Sequence, residues 1–232
     1  MKSLVVIAAL VFALVMVGCG NNQADDASKK AETTQKTSVG DKNMAADAAN
    51  TENLAEKRYP IRDKNDPIVT ISTDYGDMTL ELWRDVAPAH VDSFVARTKE
   101  GFYDSLKFHR VVDNFMIQGG DPKGNGTGNA GYFLPAEFSK EPHEEGTLSM
   151  ARGNNPNSAS CQFFICLKKV PFLDGKYTVF GHLIKGYDVL HKIGKVKCLP
   201  SPGGRGEVST PEKPVYMKKV FLSDADGNPI KK

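Results

Sequence analysis

The stretch FHRVVDNFMIQGGDPKGNGTG, Phe108 to Gly128, places a cation, an amide and several large apolar side chains within a few residues of one another. No Ser or Cys stands beside a base there, and there is neither a carboxylate pair nor metal-ligand spacing. Covalent and metal-assisted chemistry therefore have no obvious carriers, because a nucleophile needs an adjacent base or a lowered pKa. What remains for any chemistry is one cation, one amide and several large apolar side chains. Arg110 is always ionised and offers planar, multiple N–H donors.

Strand parity refines this reading. In SCQFFICL, Gln162 and Phe164 fall on one face, while Phe163 and Ile165 fall on the other. In FMIQ, Met116 and Gln118 likewise share a face. A face alternating large apolar groups with amides suits a shallow peptide groove, since every amide in a dry core must find partners.

Three blocks resemble the cyclophilin family of peptidyl-prolyl cis/trans isomerases: the stretch above, LSMARGNNPNSASCQFFICL, and FLDGKYTVFGHLIKGYDVL. The likeness runs from about Ile68 to Ser223. It implies a mainly β fold, a closed eight-stranded antiparallel barrel capped by two α-helices, with the groove on the outside. It also implies that Arg110 is the catalytic arginine, with Phe115 and Gln118 beside it. Met116, Gln162, Phe164 and Leu173 match pocket and groove positions, Ala151 a backbone contact and Gly126 a glycine of the groove rim.

Phe172 stands where many eukaryotic members have Trp, Tyr177 where many have His, and Arg152-Gly153 replaces an Asn-Ala pair. These departures resemble bacterial members of the family. The resemblance further implies proline-containing peptides and unfolded protein clients as partners, no cofactor, and cyclosporin binding in the same groove. That binding is expected to be weak, because Phe172 has no indole N–H to donate. A peptide-binding or holdase protein with incidental isomerase activity is the alternative reading, but a pure binder has no need of the arginine.

The elements that must hold these residues follow from local patterns. IVTIST and DMTLELW flank Asp74-Tyr75-Gly76, a hairpin signal. Pro88 opens a helical pattern with Val91, Phe94 and Val95 on one face and Gly101 as its stop. LKFHRVV, FMIQ, GTLSMAR, SCQFFICL, YTVFGHLI and VYMKKVFLS read as further strands, and GYDVLHKIG as a second helix. Residues 121–135 form a Gly-rich loop and 199–214 a Pro/Gly-rich one. GNGTGNAG lacks the Lys-Ser/Thr and following helix of a phosphate-binding loop, and reads as a connection between strands.

Composition adds exclusions. Thirty Lys plus Arg against 28 Asp plus Glu, for a net charge of +2, leave no large field directed at nucleic acid. The histidines at 90, 109, 143, 182 and 191 lack zinc-type spacing, so no metal is expected, and His109 reads as structural. Cys161 and Cys166 fall on opposite faces of one strand and read as buried thiols; whether Cys198 forms a disulfide stays open. The isomerase is expected to be a monomer.

The N-terminus carries a separate message. Lys2 precedes the apolar run Leu4–Val17, too short for a comfortable membrane span and suited to a secretory signal. The ending Met16-Val17-Gly18-Cys19 resembles a bacterial lipobox, which implies a signal peptide over 1–18 and lipid on Cys19. Residues 19–62 are almost free of large apolar side chains and read as a disordered polar tether. The isomerase domain is then 63–232, held outside the cytoplasm at a cell membrane or outer membrane.

Overall fold

The computed structural model describes residues 54–202 and 206–230. The expected signal peptide, Cys19 and the tether up to residue 53 lie outside the described residues.

Besides helical residues 54–56, ten strands and two α-helices are found among them. The strands are β1 (Ile68–Thr73), β2 (Gly76–Leu82), β3 (Arg110–Val112), β4 (Met116–Gly119), β5 (Thr147–Met150), β6 (Phe163–Cys166), β7 (Val179–Lys185), β8 (Cys198–Pro200), β9 (Val208–Pro211) and β10 (Met217–Leu222). The helices are α1 (Pro88–Lys99) and α2 (Tyr187–Gly194), and a 3₁₀ turn at Pro171–Leu173 lies between β6 and β7.

Eight strands form one antiparallel sheet in the order β10-β1-β2-β7-β5-β6-β4-β3. The outer strands β3 and β10 do not form a ladder with each other. The segments leading into them close the barrel instead: Phe108 N–H donates to Val215 O at 2.9 Å and Met217 N–H to Leu106 O at 2.7 Å. This is why LKFHRVV does not run as one strand. The chain turns just before it at Ser105, φ +64°, so that its first half meets residues 215–217, and the ladder begins only at Arg110.

Alternation along the strands sends one set of side chains inward. Phe94 of α1 packs on Tyr103, Phe163 and Phe180, with centroids 4.7, 5.3 and 5.4 Å apart. Fully burying each such ring contributes about 1.5–3 kcal/mol. α1 covers β10 and β7, while α2 packs on β2, β3 and β4. Pro88 occupies the first turn of α1, where its missing N–H costs nothing.

Two expectations, the loop at 199–214 and the extent of the tether, are corrected. The segment 199–214 is not a plain loop: β8 and β9 pair within it as a hairpin, Cys198 opposite Pro211 and Leu199 opposite Thr210. The tether does not continue to Arg62, since residues 54–62 lie against the domain. The Arg62 and Asp63 N–H groups donate to the buried Glu81 carboxylate at 2.8 and 2.9 Å, and Trp83 Nε1 donates to it at 3.0 Å. Lys57 pairs with Glu145, and the Arg62 guanidinium lies over the Trp83 ring. A polar segment is held here by charged and aromatic contacts, which composition alone does not reveal. Cys161, Cys166 and Cys198 are all free, and burial pushes the first two thiols up to about 11 and about 12.

Candidate active site

Register brings the functional side chains together. Arg110 of β3 is opposite Gln118 of β4, and Gln118 is opposite Phe164 of β6. Met116 and Phe164 therefore emerge on the face away from the main core, where they form a second apolar cluster with Cys166, Val170 and Leu173. Phe115, Ala151 and Tyr177 pack around that cluster. Phe163 and Ile165, the alternate residues, lie in the main core as parity required.

A cavity of about 150 Å³ opens on this face, lined by Arg110, Phe115, Met116, Gln118, Ala151, Arg152, Phe164, Leu173 and Tyr177. A dry cavity of about that size holds a benzene-sized ring. A second hollow of about 330 Å³ adjoins it, sharing Gln118, Ala151 and Arg152 and including Gly126 and Gln162. Phe172 lines neither; it is exposed at the rim, with its ring 5.7 Å from that of Phe115.

The polar groups are strung in one direction. Arg110 Nη1 donates to Gln118 Oε1 at 3.3 Å and lies 3.8 Å from Met116 Sδ. Gln118 Nε2 donates to Gln162 Oε1 at 3.0 Å, and Gln162 Nε2 donates to the carbonyls of Gly126 and Gly128 at 3.1 and 2.8 Å. Those two carbonyls can only accept, so they set the orientation of both amides and turn the Gln118 oxygen toward Arg110. Gln162, read from sequence as holding substrate, has its N–H donors occupied by the loop. The Ala151 N–H donates to Gln162 O at 2.9 Å, which leaves its carbonyl to offer a peptide.

Several residues at or behind the site were missed by sequence reasoning. Glu207 makes a two-pronged ion pair with Arg110, Nε to Oε2 at 2.8 Å and Nη2 to Oε1 at 2.6 Å. Hydrogen bonding to Arg110 holds the Glu207 carboxyl at about 2. Asp121 accepts N–H bonds from Lys123 and Asn125 at 2.8 and 2.9 Å, so the glycine loop folds around its own carboxylate rather than a phosphate. Behind Phe164, His143 stacks at 6.0 Å and bridges Asp174 (2.9 Å) and Ser149 (3.1 Å). His143 and Ser149 are buried, so this Asp-His-Ser array supports the pocket floor and cannot attack a substrate. Arg152 lies over Tyr177 at 4.6 Å while donating to the carbonyls of Lys176 and Gly153. No group of His, Cys, Asp and Glu suited to hold a metal occurs among the described residues.

The family model for cyclophilin type peptidyl-prolyl cis-trans isomerases matches residues 68–220. The chain belongs to the cyclophilin family. It is a peptidyl-prolyl cis-trans isomerase. A probable peptidyl-prolyl cis-trans isomerase of Brucella suis is 47% identical over 150 residues, covering 60% of this chain and 74% of that protein. The Helicobacter pylori peptidyl-prolyl cis-trans isomerase is 42% identical over 144 residues, covering 59% and 88%. A cyclophilin type isomerase of Cryptosporidium parvum superposes with a TM-score of 0.63 at 31% identity, over 68% of this chain and 98% of that one. The same parasite protein has also been solved in the presence of the dipeptide Ala-Pro.

For a cyclophilin the geometry is economical. Rotating an X-Pro bond breaks amide resonance against a barrier of about 18–20 kcal/mol, with no covalent change. A donor that binds the prolyl nitrogen as it pyramidalises withdraws its lone pair from the carbonyl and lowers that barrier. Arg110 Nη1 is a donor at the edge of an apolar cavity, where surrounding rings that keep water away would strengthen a hydrogen bond to a bound amide.

Proposed function

We propose that this isomerase acts on X-Pro bonds of secreted or envelope proteins, with the proline ring in the cavity beside Arg110. One observation carries the site assignment: a guanidinium whose Nη1 edge is turned by Gln118 toward a pocket of Phe115, Met116, Phe164 and Leu173. The Ala-Pro present with the Cryptosporidium parvum relative supports a proline-containing ligand. Phe115 and Gln118 complete the catalytic set, while Gln162, Gly126 and the Ala151 carbonyl flank the peptide beyond the ring.

Arg110→Ala tests the assignment. Losing a donor used in the transition state lowers kcat by about a hundredfold or more. The side chain is half exposed, so folding stability should change by no more than about 1 kcal/mol. Near-normal turnover in the folded variant would remove Arg110 from the mechanism.

The envelope setting rests on the sequence before residue 54. Lipid on Cys19 would anchor the isomerase outside the cytoplasm, where exported clients fold. Mass spectrometry of the mature N-terminus decides this: an acylated Cys19 is expected, and an unmodified terminus at another residue would overturn the anchor.

A further inference from the structure

We propose that Glu207 is a positioning residue for the isomerase reaction, holding the Arg110 guanidinium in the one orientation that presents Nη1 to the groove. The proposal rests on the role of Arg110 given above.

Three observations carry it. The carboxylate grips the Nε and Nη2 edge of the guanidinium, at 2.8 and 2.6 Å, and leaves Nη1 to Gln118 and the cavity. A planar fork held along one edge cannot turn about its own axis, so the free edge is aimed by the paired one. Glu207 is itself held, since Ser209 Oγ donates to its Oε2 at 2.8 Å and Ser209 is buried. Finally, the hairpin is tied where it must be: β9 packs on β3, the strand carrying Arg110, and Ser201 N–H donates to Glu207 O at 2.8 Å. A separate hairpin thus brings this carboxylate to a residue 97 positions away.

An alternative role for the same carboxylate is restraint, in which it competes with the prolyl nitrogen for Arg110. The geometry favours positioning, because both bonds lie on the edge away from Gln118 and Met116.

The test uses the full chain with a proline tetrapeptide, reading kcat and KM by exchange NMR and the Arg110 Nε–H resonance by ¹⁵N correlation. Glu207→Gln should lower kcat about tenfold to a hundredfold, the scale of a misplaced catalytic group, with KM within about twofold. The Arg110 resonance should broaden or shift, and Glu207→Asp should recover part of the loss. Ser209→Ala, which leaves the carboxylate in place, should give a smaller change in the same direction. On an Arg110→Ala background, Glu207→Gln should add nothing. Unchanged kcat in Glu207→Gln overturns positioning; a raised kcat identifies restraint instead. An undiminished effect on the Arg110→Ala background shows that Glu207 acts elsewhere. If Arg110→Ala alone is active, the Arg110 assignment fails and takes this proposal with it; if it is inactive while Glu207→Gln is normal, only the proposal fails.

Discussion

Tyr59 lies stacked on His182, ring centroids 3.9 Å apart, with Trp83 also stacked on the same imidazole at 5.9 Å. One partner comes from β7 and the other from a segment whose composition reads as tether. The Tyr59 N–H adds a bond to Ile184 O at 3.1 Å, as an extra strand would.

The domain therefore begins earlier than Asp63. A chain starting at Asp63 loses the stacked pair, worth about 0.5–1.5 kcal/mol, and leaves the buried Glu81 carboxylate short of donors, which costs about 1–3 kcal/mol. Urea denaturation should place it about 2–4 kcal/mol below a chain starting at Leu54. Equal midpoints would show that residues 54–62 contribute nothing. Mild proteolysis of the intact protein should cut before Leu54 and spare the bond after Arg62.

Phe164→Ala should harm both stability and turnover. Its ring is buried in the second apolar cluster and walls the cavity, so its removal costs about 3–5 kcal/mol and loosens the seat of the proline ring. Thermal denaturation and the isomerisation assay should fall together. A stable, fully active variant would mean the ring does not seat in this cavity.

Cyclosporin should bind weakly, and Phe172→Trp should tighten it. Phe172 is exposed at the rim and outside both hollows, so the larger indole can be accommodated and brings a donor N–H. Turnover should change by less than about twofold, since Phe172 does not line the ring cavity. Titration calorimetry showing tight binding by the natural sequence would contradict this.

Stability should fall in two stages as pH drops. Burial pushes His90, His109, His143 and His182 below their ordinary value. Below about pH 6.5 the unfolded chain then binds more protons than the folded one, so stability declines from there downward. Glu145 adds a second stage: hydrogen bonding to His191, then Lys57, holds it at about 2, so its contribution is present above about 4.5 and is lost between there and 2. Asp66, raised by burial, works against this trend. His109→Gln should flatten the upper stage and Lys57→Gln the lower, read from urea midpoints across the range. A midpoint constant from pH 7.5 to about 5 would refute the buried-histidine account.

Much of the site was legible because strand parity is local. Gln162 and Phe164 could be put on one face, and Phe163 and Ile165 on the other, from eight consecutive residues, and the ladder between β4 and β6 keeps that division. The hairpin turn at Asp74-Tyr75 and the Pro88 helix start follow from equally short patterns. Glu207 was not legible. Its partner is remote in sequence, and prolines and glycines in 199–214 mask the brief alternation of Val208 to Pro211 as a loop. The docking of residues 54–62 was hidden for a related reason. Lys57, Tyr59 and Arg62 look like solvated polar residues until Glu145, His182 and Glu81 are seen to be waiting for them.

Val69 of β1 is paired at once with Leu80 of β2 and with Leu222 of β10, and Ser223 N–H donates to Ile68 O at 3.0 Å. The opening strand of the barrel thus has one edge filled by its immediate neighbour and the other by a strand some 150 positions later. A nascent chain on the ribosome can form the β1–β2 hairpin early, but its outer edge stays bare until β10 has left the exit tunnel. Long-range pairing of this kind delays folding until the whole domain is available. An enzyme that turns X-Pro bonds thus cannot complete its own barrel until its last strand has been made, with its first strand held open for it.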